Sequence, residues 1–169
     1  MKKMFLIVIL LFVSFLVCGC DNKDDEVISN GKKVDTSKME HKHCERNATA
    51  TDADVKLEYD IYYTGEVLNI LESKEEIISA SDDVLNTYEK AYKGIHENYR
   101  GLKYYDTKVT RGDTTVISYI TINYDKININ KLIEIEGEED NIFEEKVPKV
   151  SKWIELASKF GTKCELVKK

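Results

Sequence analysis

Fourteen residues near the start of the chain, Met4–Val17, are apolar except for Ser14; Lys2 and Lys3 precede them, and Cys18-Gly19-Cys20 and then Asp21 follow. This stretch constrains everything after it, because it sets the compartment in which the chain folds. At about 1.5 Å per residue it spans roughly 21 Å, against a hydrocarbon core of about 30 Å. That is short for a permanent helix. A cationic start, an apolar run and a small residue ahead of a cysteine form the layout of a bacterial export signal cleaved just before that cysteine. The competing reading is an uncleaved membrane helix running to about Cys20.

The end of the run, Val17-Cys18-Gly19-Cys20, resembles the lipobox of bacterial lipoproteins. Gly19 is then the small residue before the cut, and Cys20 carries the lipid. Cys18 fits less well, since the residue before it is the branched Val17. The expectation is a signal peptide over residues 1–19 and a palmitate-type anchor on Cys20, holding the protein on the extracytoplasmic face of the cell membrane; more than one acyl chain is needed for firm mooring. Without residues 1–19 the chain has 23 basic and 31 acidic residues, net −8. A nucleic-acid partner is disfavoured by that field. Residues 20–40 hold few large apolar side chains and no aromatic ones, and they read as a flexible tether ahead of a single domain over 41–169.

Four cysteines are present. If Cys18 leaves with the signal and Cys20 is acylated, Cys44 and Cys164 remain as a pair in an oxidising compartment, and a disulfide between them is expected. His41-Lys42-His43-Cys44 allows a second reading, because histidines at i and i+2 point the same way on a strand and could begin a zinc or copper site. The disulfide is the stronger expectation, with no metal and no cofactor.

From Val55 to Tyr63 apolar and polar residues alternate, as in a strand with one buried face. Gly65 turns the chain into a second strand running to Ile78. Ser81 or Asp82 then caps a helix over about 82–99, with Val84, Leu85, Tyr88, Ala91, Tyr92, Ile95 and Tyr99 on one stripe. His96 reads as a surface or rim residue of this helix. Strand character returns over 102–110 and 114–124, and Arg111-Gly112-Asp113 between them reads as a type II′ turn with Gly112 first, not as an integrin ligand. Residues 125–135 read as a loop and then a short strand or turn, and the acidic cluster Glu136–Asp140 as a solvated loop without calcium-ligand spacing. A second helix is expected to begin near Pro148, with Val150, Trp153, Ile154, Ala157 and Phe160 inward, and a last strand over 162–167 to carry Cys164. The fold class is α+β: an antiparallel β-sheet with two helices packed on one face.

Tyr62-Tyr63-Thr64-Gly65-Glu66-Val67-Leu68, the tyrosine-bearing helix and Ile122-Asn123-Tyr124-Asp125-Lys126-Ile127-Asn128 together resemble the YehR-like bacterial lipoproteins, over about residues 52–166. The resemblance implies an α+β lipoprotein with a domain of unknown function, and it implies no catalytic residues. No nucleophile elbow, phosphate loop or zincin motif occurs in the chain. The expected role is a non-catalytic binding module at the cell surface whose partner is an envelope protein, peptide or glycan. An envelope enzyme or a metal-binding protein is the alternative. Ten tyrosines leave open an aromatic sheet face formed by Tyr62, Tyr104 and Tyr119, against the simpler reading that the rings pack across strands.

Overall fold

The computed structural model of the protein describes residues 26–136 and 142–168. The expected signal peptide, the lipidated Cys20 and most of the acidic cluster lie outside these residues. Ten strands and three helices follow in the order β1 (Glu26–Ser29), β2 (Lys32–Asp35), β3 (Glu40–Ala50), β4 (Ala53–Thr64), β5 (Val67–Ile78), α1 (Asp82–Glu97), β6 (Tyr105–Arg111), β7 (Thr115–Asn123), α2 (Ile129–Glu136), β8 (Phe143–Glu144), β9 (Val147–Pro148), α3 (Val150–Lys159) and β10 (Lys163–Leu166). The main sheet is antiparallel throughout, in the order β10-β3-β4-β5-β7-β6. The α+β class is as expected.

Strand period two assigns the two faces. Val55, Leu57, Tyr59, Ile61 and Tyr63 of β4 share a face with Ile77 and Leu71 of β5 and with Val116 and Ile122 of β7. All three helices cover this face. α1 lays Leu85 and Tyr92 on Ile77 and Val116, while Leu132 and Ile133 of α2 and Val150 and Trp153 of α3 close over Ile61, Leu71 and Ile122. Ser81 caps α1, its hydroxyl accepting from the Val84 N–H.

Four expectations need correction. The stretch expected to be tether is ordered from Glu26 onward, where β1 and β2 form a hairpin. Asn30 and Gly31, at φ of 51° and 71°, make the positive-φ turn that matches strand twist, and the alternating Val27 and Val34 give the ribbon an apolar side. The loop and short strand expected near 125–135 contain helix α2. Ile127 and Ile129 alternate as in a strand, but Ile129, Leu132 and Ile133 fall at helical spacing, and the Asn128 side chain accepts from the Lys131 N–H to start the turn. Pro148 sits in β9, ahead of α3 rather than in its first turn, and Phe160 is 64% exposed rather than inward. Finally, the β6–β7 turn is one residue off: the Gly112 N–H donates to the Thr115 carbonyl, so the loop is Asp113-Thr114, and Gly112 needs no positive φ. Arg111 is tied to Asp82 and to the Gly112 carbonyl, which makes the tripeptide a structural turn.

Cys44 and Cys164 are bonded and stand opposite each other on β3 and β10. The Val167 N–H donates to the His41 carbonyl, so by parity the 44–164 pair is a non-hydrogen-bonded one, the kind in which side chains approach most closely. Its Cα atoms are 4.0 Å apart.

Candidate functional site

Three places bring chemistry-bearing side chains together. The first lies beneath the helices, where one row of strand partners reads Arg46, Leu57, Glu75, Ser118 and Val109 from β3 across to β6. Glu75 is largely buried there. Burial raises its carboxyl above the usual glutamate value, opposed by Tyr92 and then by Arg46. The Tyr92 hydroxyl is pushed well up, by burial first and then by the Glu75 charge, yet its oxygen completes no hydrogen bond of standard geometry. Arg46 donates to the Phe160 carbonyl at the end of α3 at 3.2 Å, while its Nε stays buried without a partner. This seam is a polar stripe inside the helix–sheet interface.

A raised carboxyl pKa stabilises the fold fully below the unfolded value, near 4.5, and that contribution is lost as pH rises through the raised folded value. Glu75→Gln keeps the shape and removes the charge. The variant is expected to be more stable than the parent at pH 7, with the gain vanishing below about pH 4. Urea unfolding midpoints at the two pH values check this, and a variant less stable at pH 7 shows instead that the attraction to Arg46 dominates.

The second place is on the opposite face. His41 Nε2 and His43 Nδ1 lie 2.8 and 3.0 Å from the same Asp60 Oδ1. The His41 ring stacks on Tyr62 at 4.4 Å. The sequence allowed a metal site at these histidines. Cys44, however, is committed to the disulfide, and no group of three metal-type side chains among the described residues is placed to hold an ion. Tyr62 is buried, in a cluster with Val27 and Ile70, and Tyr104 stands before β6 at φ 69° against the main core. Tyr62 and Tyr104 therefore do not join Tyr119 in an exposed aromatic face. The rings are packed, and that face is instead crossed by charged side chains such as Glu58, Lys74 and Glu76.

The third place is open. A groove of about 500 Å³ lies between the last turns of α1 and the free edge of β6, lined by Lys93, His96, Tyr99, Arg100, Tyr105 and their neighbours. Tyr99 and Tyr105 stack with ring centroids 4.0 Å apart and nearly parallel. His96 is hydrogen-bonded with Ser118 Oγ at 3.0 Å, and burial lowers its pKa. The rim position expected for His96 is thus the inner wall of this groove. Nothing in the sequence marked the groove, because its walls come from α1 and β6 and exist only once the helix crosses the sheet. A second hollow of similar size, at the β3–β4 turn, is walled mainly by short side chains such as Thr49, Ala50 and Ser79.

No protein-family model matches the chain, and no curated protein does. Among solved structures, the NMR structure of the E. coli YehR protein is similar, with a TM-score of 0.53 and 17% identity over 75% of this chain and 92% of that one. An NMR structure of a protein from Streptococcus pneumoniae TIGR4 aligns at a TM-score of 0.48 and 15% identity, over 73% of this chain and 84% of that one. The YehR-like resemblance read from the residues is therefore met in the fold.

Proposed function

We propose that this is a lipid-anchored extracytoplasmic binding module, moored through acylated Cys20 and acting by recognition rather than catalysis. The observation that carries the first half is the Lys2-Lys3, apolar run and Gly19-Cys20 order together with the Cys44–Cys164 cystine, a pairing suited to an oxidising compartment. The second half is supported by the open groove, where the stacked Tyr99 and Tyr105 rings lie beside a strand edge, the materials of binding; His96 on its wall is engaged with Ser118, and Glu75 and Tyr92 are held within the helix–sheet interface.

Labelled fatty acid fed to expressing cells is expected to appear on the parent protein and not on Cys20→Ala, which accumulates as uncleaved precursor. Normal trimming of the variant, or a parent without label, overturns the anchor. No helix among the described residues is long and apolar enough to cross a membrane.

A further inference from the structure

We infer that the outer side of the β1–β2 hairpin is the surface by which the domain rests on the lipid headgroups, with the helix layer and its groove turned away from the membrane. The inference rests on the acylated Cys20 proposed above and adds how the module sits on the bilayer.

The length of chain ahead of the hairpin comes first. Five residues, Asp21–Asp25, separate Cys20 from Glu26, where β1 begins. Even fully extended, that length of chain carries Glu26 at most about 20–22 Å from the lipid-bearing residue. The domain is thicker than this. Val27 packs with Tyr62 of β4 and Ile70 of β5, and the Asn30 N–H donates to Asp106 of β6, so the hairpin crosses the sheet face opposite the helices. Hairpin, sheet and helices are three stacked layers. With about 10 Å between packed sheets and about 10–12 Å for a helix with its side chains, the far surface of the helices stands roughly 25 Å from the hairpin. Laying the helices on the bilayer would therefore hold Glu26 beyond the reach of its anchor.

The outer side of the ribbon suits the contact. Val27 and Ser29 are buried, so Ile28 between them points outward, and it is 53% exposed. Its strand partner is Lys33, and Lys32 at the turn is exposed as well. Lysine stems beside an isoleucine are apolar along most of their length and lift their charge to headgroup level. One isoleucine alone holds a soluble protein to a bilayer only weakly, but the anchor makes this second contact intramolecular and raises its effective concentration. The ribbon also stands about 10 Å proud of the sheet face that carries Glu58, Glu72 and Glu76, more than the screening length of about 8 Å at physiological salt. Those acids are thus kept clear of the headgroups. The groove between α1 and β6, on the helix side, is left open to an envelope partner.

The test reconstitutes the full-length acylated chain in vesicles of phosphatidylcholine brominated near the top of its acyl chains, which quenches tryptophan only at short range. Single variants place a reporter at exposed apolar positions: Ile28→Trp on the hairpin, Ile95→Trp on α1 and Leu166→Trp on β10. Quenching is expected to be severalfold greater at position 28 than at 95 or 166, and the buried Trp153 of the parent to be unaffected. Lys33→Trp, on the same side of the ribbon, is expected to follow position 28. Equal quenching at 28 and 95, greater quenching at 166, or none at 28 and 33 in a chain that floats with the vesicles would each overturn the inference. The mooring is read separately, by the fatty-acid label on Cys20. A labelled chain without quenching at 28 keeps the anchor and sinks only this orientation, whereas quenching at 28 in a chain without lipid on Cys20 upholds the contact and overturns the anchor.

Discussion

Replacing both Cys44 and Cys164 with serine is expected to lower the thermal midpoint by about 10–15 °C, corresponding to a loss of roughly 4 kcal/mol. The bridge closes a loop of 120 residues, which holds nearly the whole main sheet. Tying two points so far apart removes many conformations from the unfolded chain and few from the folded one. The folded geometry is compatible with the bond, because register places the two residues face to face at a non-hydrogen-bonded pair and Cys44 is fully buried. β10 is only four residues long, with β3 as its one strand neighbour, so it has little else to hold it. Calorimetry of the parent and the double variant measures the difference, and a shift below about 3 °C would show that the bridge merely decorates a sheet that closes without it.

How much of this was legible in advance differs from element to element, for physical reasons. Alternation from Val55 to Tyr63 and the stripe on α1 reported real burial, because those elements bury one face and their neighbours stay in water. The cystine followed from counting thiols on the expectation of an oxidising compartment. The β1–β2 hairpin was missed although Asn30-Gly31 between short apolar runs is a strong local turn signal; the polar average of residues 20–40 hid it. Composition reports whether a segment can build a core alone, and this ribbon does not do so: it borrows Tyr62 and Ile70 from the sheet. α2 was missed because alternating Ile and Asn favours a strand locally, while packing of Leu132 and Ile133 against the sheet decides for the helix. The groove was invisible for a different reason. His96, Tyr99 and Tyr105 are separated along the chain by a turn, and no spacing rule brings a helix end to a strand edge.

Trp153→Ala is the other substitution with a large expected effect, about 3–5 kcal/mol from lost burial and the cavity left behind. Trp153 is the chief anchor of α3: its indole is 9% exposed and meets Tyr59 edge-on with centroids 5.0 Å apart. Tyr59 in turn is the strand partner of Cys44, so the ring, the sheet and the cystine form one contiguous line. α3 leads through Gly161, at φ 85°, straight into β10. With the bridge intact, truncating Trp153 should loosen α3 while β10 stays fastened to β3. Hydrogen exchange then shows lost protection at helix amides such as Ala157, with Val167, whose N–H donates to the His41 carbonyl, still protected. Reducing the bridge in the same variant should release Val167 as well, because neither end of the segment is then held. If Val167 loses protection while the disulfide is still closed, α3 rather than the cystine holds β10 in place, and the two contributions must be assigned the other way round.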